Sequence, residues 1–129
     1  MEESLEDQIF EALVALRHRG VDDSSVLIEE PNTGKFVQFG TGRQLVMDVP
    51  CVGLTSQEAD RASEFFRQFG ENYPREYHAP DPKTKKTHHG ATFTHDFGKD
   101  ARGAAQAAIQ FFGTVYQFAP GTVLSLREL

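Results

Sequence analysis

Apolar residues alternate with polar ones through three short stretches between Ser25 and Val49, whereas on either side they recur every three or four positions. The alternating stretches are rich in β-branched and aromatic residues and are joined by turns at Pro31-Asn32-Thr33-Gly34 and Gly40-Thr41-Gly42. They read as a three-stranded antiparallel meander, because proline presets φ while asparagine and glycine tolerate positive φ. Pairing Glu30 with Lys35 sets Ile28 opposite Val37 and Val26 opposite Phe39. A three-residue loop about Thr41 and Gly42 would then set Phe39 opposite Leu45 and Val37 opposite Met47. Val26, Ile28, Val37, Phe39, Leu45, Met47 and Val49 share one apolar face in this register. A slip of one residue would mix the faces, so the hydropathy pattern resists it. The opposite face carries Glu29, Gln38, Gln44 and Asp48 together with Leu27, Phe36 and Val46, an apolar row on the open side of the sheet.

The flanking patterns are helical. Leu5, Ile9, Ala12, Leu13 and Leu16 form one stripe over Ser4–Arg19, with Ser4 as cap, acids in the first turn and Arg17, His18 and Arg19 in the last. A second helix opens at Thr55, where Thr55-Ser56-Gln57-Glu58 has the form of a capping box. Ala59, Ala62, Phe65, Phe66 and Phe69 line its apolar side, and Gly70 suits its end. Phe65, Phe66 and Phe69 make this stripe wider than one contact with a small sheet requires. Together with the strand that follows, they are the expected interface of a homodimer.

Residues 71–90 hold Pro74, Pro80 and Pro82 and the run Lys83-Thr84-Lys85-Lys86-Thr87-His88-His89-Gly90. Arg75–Ala79 fits a short edge strand bounded by prolines, and 80–90 reads as a mobile loop. Ala91–Phe97 alternates again, with Phe93, His95 and Phe97 on one side. A third helix spans Asp100 to about Gln117 on an alanine-rich stripe. The tail from Thr122 to Leu129 is apolar enough to dock. The whole chain, 1–129, is expected to be one α+β domain: a twisted antiparallel sheet in helix-β-β-β-helix-β-β-helix order, with helices 1 and 3 on the Val26/Ile28/Phe39 face.

Charge narrows the partners. With 13 Lys and Arg against 19 Asp and Glu, the net charge is −6. General attraction to nucleic acid or an anionic membrane is therefore not expected. No apolar run reaches the ~20 residues of a membrane span. Met1-Glu2-Glu3-Ser4 is acidic and leads into a helix, unlike a secretory signal. A single cysteine, Cys51, excludes an internal disulfide and fits a reducing, cytoplasmic setting.

Candidate chemistry is sparse. His78, His88, His89 and His95 cluster in sequence, but zinc sites need converging ligands, and adjacent His88 and His89 would face opposite ways on a strand. Solvated loop histidines are the default, and no metal or cofactor is expected. His95, between Phe93 and Phe97, reads as a half-buried structural residue. Cys51 follows Pro50 at a strand end without an activating motif, as an inert cysteine would. Lys83, Lys85 and Lys86 lack interleaved aromatics. No phosphate-cradling glycine loop or paired catalytic carboxylates occur.

The element order resembles that of type III secretion chaperones. Lys35-Phe36-Val37-Gln38-Phe39 before a glycine turn, and Gly113-Thr114-Val115-Tyr116-Gln117-Phe118-Ala119-Pro120-Gly121 near the end, resemble bacterial TY-Chap (type III secretion chaperone-like) proteins. The resemblance implies a small acidic cytosolic protein that dimerises and holds an extended segment of another protein, without catalytic residues. The preferred reading is thus a non-enzymatic, chaperone-like binding module using Leu27, Phe36 and Val46. The alternative is a small-molecule- or metal-dependent enzyme using the His78–His95 region.

Overall fold

A computed structural model describes residues 3–19, 24–40, 44–80 and 87–128, with the backbone alone for 77–80 and 87–89. Three helices and six strands follow in the order α1 (Leu5–Arg19), β1 (Ser25–Glu29), β2 (Phe36–Gly40), β3 (Val46–Pro50), α2 (Ser56–Arg67), β4 (Arg75–Pro80), β5 (Thr87–Asp96), α3 (Ala101–Thr114) and β6 (Ser125–Glu128). The strands form one antiparallel sheet in the order β4-β5-β3-β2-β1-β6. The fold is α+β, as the hydropathy pattern predicts. The apolar tail docks as β6 beside β1.

Local chemistry explains the boundaries. At the first hairpin the Glu30 and Lys35 backbones bond as expected, and Gly34 takes positive φ. The Glu30 carboxylate accepts from the Asn32 and Thr33 amides and from the Thr33 hydroxyl, which rigidifies the turn. The capping box forms at α2: Glu58 N–H donates to Thr55 Oγ1 at 3.1 Å and Thr55 N–H to Glu58 Oε1 at 2.9 Å. Helix α3 is capped by Asp100, which accepts from the Gly103 amide. It ends three residues earlier than expected. Gln117 turns left-handed, and the Phe118 N–H reaches back to the Phe112 carbonyl, six residues earlier, which closes the end of the helix.

The core lies between one sheet face and the helices. Ile9, Leu13 and Leu16 of α1, Val26, Ile28, Val37, Phe39, Met47 and Val49 of the sheet, Phe66 of α2 and Ala104, Ala105, Ala108 and Phe111 of α3 are buried together. The α3 alanines permit the close approach of α1 that the pattern implies.

Three expectations need correction. First, β2 and β3 pair two residues out of the expected register: Phe39 faces Met47, and Gly40 faces Val46. Leu45 has left the β2 pairing and instead exchanges backbone bonds with Phe97 and Gly98 at the end of β5. A shift of two preserves the faces, so burial is unaffected. The turn itself, around Thr41 and Gly42, lies outside the described residues. Second, the segment read as a mobile loop, 80–90, is in part a strand. Thr87–Gly90 belongs to β5 and pairs with Tyr77–Pro80 of β4, so partner pairing supplies the order that the Lys/His run does not signal. The lysines at 83, 85 and 86 lie outside the described residues. Third, the aromatics counted on the second helix leave little free surface, with Phe69 alone of the three half-buried. Phe65 is 4% and Phe66 0% exposed. Phe66 stacks on Phe93 at 5.4 Å and meets Phe111 edge-on at 6.0 Å, because α2 is wedged between β5 and α3.

Candidate partner-binding surface

All three helices cover the Val26/Ile28/Phe39 face, which leaves the opposite face of the sheet without a helix among the described residues. Strand pairing arranges that face in rungs. One rung runs Thr94, Asp48, Gln38, Leu27 and Arg127; another carries Asp96, Val46, Gly40 and Ser25. Phe36 sits beyond Gln38, beside Glu29.

Leu27, Phe36 and Val46 therefore occupy three different levels, separated by Gln38 and Gly40. The two-residue shift between β2 and β3 breaks the expected row, since it moves Val46 from opposite Gln38 to opposite Gly40. Leu27 is only 8% exposed. The ion pair between Arg127 and Glu29, at 3.7 Å, runs beside it. Phe36 and Val46 are half-buried. A shallow hollow of about 250 Å³ lies next to Val46, lined by Gln38, Asp48, Arg75, Thr92 and Thr94. Within it the Thr92 hydroxyl donates to the Asp48 carboxylate.

The sheet ends at β4, which pairs with β5 along one side only. Its outer side presents backbone N–H and C=O groups that no described strand satisfies. Short length and terminal prolines limit this edge in the way proteins commonly restrain exposed strands. Tyr73, just before β4, and Val52, in the turn of 3₁₀ helix after β3, are 85% and 91% exposed.

The polar groups of the interior serve the fold. Glu58, 3% exposed, binds Lys35 as well as Thr55. Lys35 also lies 5.6 Å from the Tyr116 ring centre. Burial alone would push the Glu58 carboxyl up, but the hydrogen bonds from Lys35 and the Thr55 amide outweigh it and hold the group below the ordinary carboxylate range. These residues border a cavity of about 200 Å³ with Thr33, Phe36 and Pro50. The Tyr116 hydroxyl donates to the Phe36 carbonyl at 2.6 Å, and burial drives its pKa well upward. The ion pair Lys35–Glu58 and the bond Asp48–Thr92 are not visible in the sequence, because each joins residues far apart along the chain.

Comparison of the chain with family models, curated proteins and solved structures finds no match. Function must then be argued from the surface itself.

His95 lies on the helix side of the sheet, stacked on Phe69 at 4.8 Å and edge-on to Phe97 at 4.7 Å, with Nδ1 3.4 Å from Glu71 Oε1. It is far along β5 from His89, which is six residues earlier on the same strand. Cys51 is half-buried, and burial pushes its thiol up, away from the thiolate that a nucleophile needs. Among residues with described side chains, no three His, Cys, Asp or Glu groups converge as metal ligands. No helix there is long and apolar enough to cross a membrane.

Proposed function

We propose that this chain is a non-enzymatic, chaperone-like binding module that holds an extended segment of another protein. The observation that carries the reading is the outer edge of β4, open at the end of a sheet whose second face no helix covers. Strand addition there supplies affinity through main-chain hydrogen bonds, while side chains on the adjoining face supply selectivity. Arg75, Thr92 and Thr94, which line the hollow beside Asp48, are the nearest such groups, with Val46 and then Phe36 farther across the sheet. The carboxylates held below their ordinary range (Glu58, Glu30 and Asp7) are each engaged by structural partners, which supports binding over catalysis. The same edge accepts a second copy of the chain. Of the expected homodimer interface, helix 2 and the strand after it, we therefore keep the strand. One cysteine and an acidic surface support a cytoplasmic setting.

Introducing a charge on the open face tests the proposal. Phe36→Asp is expected to abolish recovery of a defined polypeptide in pull-downs from native cytosol, with circular dichroism unchanged. Undiminished capture by a folded Phe36→Asp protein would remove the open face from the binding surface.

A further inference from the structure

The stretch from Gly113 to Leu124 closes the end of α3 and leads into β6, at the sheet edge farthest from β4. Together with α1 and α3 it surrounds a hollow of about 180 Å³. Leu5 of α1, Ile109 and Phe112 of α3, and Phe118 and Leu124 of the connecting segment supply its large apolar walls. Phe112 is buried and the other four are half-buried.

The connecting segment is anchored at both ends, which holds the hollow open. The Phe118 N–H bonds the Phe112 carbonyl at 3.0 Å, and β6 pairs with β1 from Ser125 onward. Between these anchors, Gly121 takes positive φ, and the Thr122 N–H and hydroxyl both donate to the Ala119 carbonyl. The Thr122 donors are thereby spent within the turn. A water held in a cavity needs about two to four polar partners, whereas the walls here are chiefly hydrocarbon.

Size and lining select an occupant. A cavity of about 150 Å³ lined by leucine, isoleucine and phenylalanine stays dry and admits benzene. The same side-chain types bound a slightly larger hollow in this chain. The Phe112 and Phe118 rings, 6.1 Å apart, offer faces and edges against which a third ring packs favourably. None of the described residues that line it is charged, so nothing there compensates an ionic ligand. We infer that this hollow is a binding site for a small, neutral, single-ring aromatic molecule. Burial and ring packing hold the ligand, and no bond is made or broken. The site is separate from the β4 edge and does not rest on partner capture.

Fluorobenzene added to the full chain, followed by fluorine NMR and by amide chemical shifts, provides the test. Saturable binding is expected, with amide shifts centred on 109–113 and 118–124. Gly113 lines the hollow, and a Cβ there would meet no atom within 4 Å, so Gly113→Leu can enter the space without a clash. It should weaken binding by about tenfold or more, as should Ile109→Phe, because each takes volume that the ring needs. Tyr73→Ser, just before β4, should bind as the parent does. Absence of saturable binding, full affinity in folded Gly113→Leu, or shifts confined to another part of the chain would overturn the site. Tighter binding of N-acetylphenylalanine amide than of fluorobenzene would also overturn it, by assigning the hollow to a side chain of a polypeptide.

Discussion

Truncation of Phe66 to alanine is expected to cost about 3–5 kcal/mol of stability, the range for removing a large aromatic from a packed core. Phe66 is fully buried and contacts rings from three directions: Phe65 on its own helix, Phe93 on β5 and Phe111 on α3. None of these can follow the missing ring without abandoning its other contacts, so a cavity should remain. Urea denaturation monitored by circular dichroism reads the effect as a lower midpoint with an unchanged slope. A near-parental midpoint would return Phe66 to the surface and reopen α2 as a subunit interface.

Glu58→Ala is the second large effect, about 2–3 kcal/mol at neutral pH, because charge-assisted hydrogen bonds at a buried carboxylate are worth more than neutral ones. The substitution removes half of the α2 capping box and the partner of Lys35. Lys35 retains access to water, its side chain being 32% exposed. The cost therefore stays below that of breaking a fully buried ion pair. Its pH dependence has a definite sign. The folded carboxyl is depressed relative to the unfolded chain, so its contribution is complete above the unfolded value, near 4.3, and is lost as pH falls from there through the folded value. The gap between the parent and Glu58→Gln should therefore narrow from pH 7 to pH 3. An equal gap at both pH values would show that the charge on Glu58 does not contribute.

What could be read in the sequence follows from the range of the interactions involved. The alternation in Val26–Ile28, Val37–Phe39 and Met47–Val49 specifies a buried face, and the structure buries it. The capping box at Thr55 and Glu58 is local chemistry and forms as expected. The register of β2 against β3 is not local. A slip by two leaves every side chain on its face, so hydropathy is blind to it, and the Leu27/Phe36/Val46 row was lost on that account. The start of β5 was equally hidden, because His88 and His89 acquire strand conformation through β4 rather than through their own preference. Counting aromatics on α2 overestimated its free surface because Phe111, far along the chain, covers Phe65 and Phe66. The edge strand expected at Arg75–Ala79 was legible from its bounding prolines, and the structure extends it to Pro80.

Hydrogen exchange on the chain alone, and on the chain with a polypeptide recovered from its native cytosol, tests the binding proposal most directly. In the free chain, held dilute enough to be monomeric, the amides of β4 that face away from β5 should exchange rapidly, since no described strand bonds them. Capture by strand addition predicts that residues 75–80 slow markedly in the complex, while the exposed surfaces of α2 and α3 do not change. Unaltered exchange throughout β4, with protection appearing instead on the helical side, would contradict it.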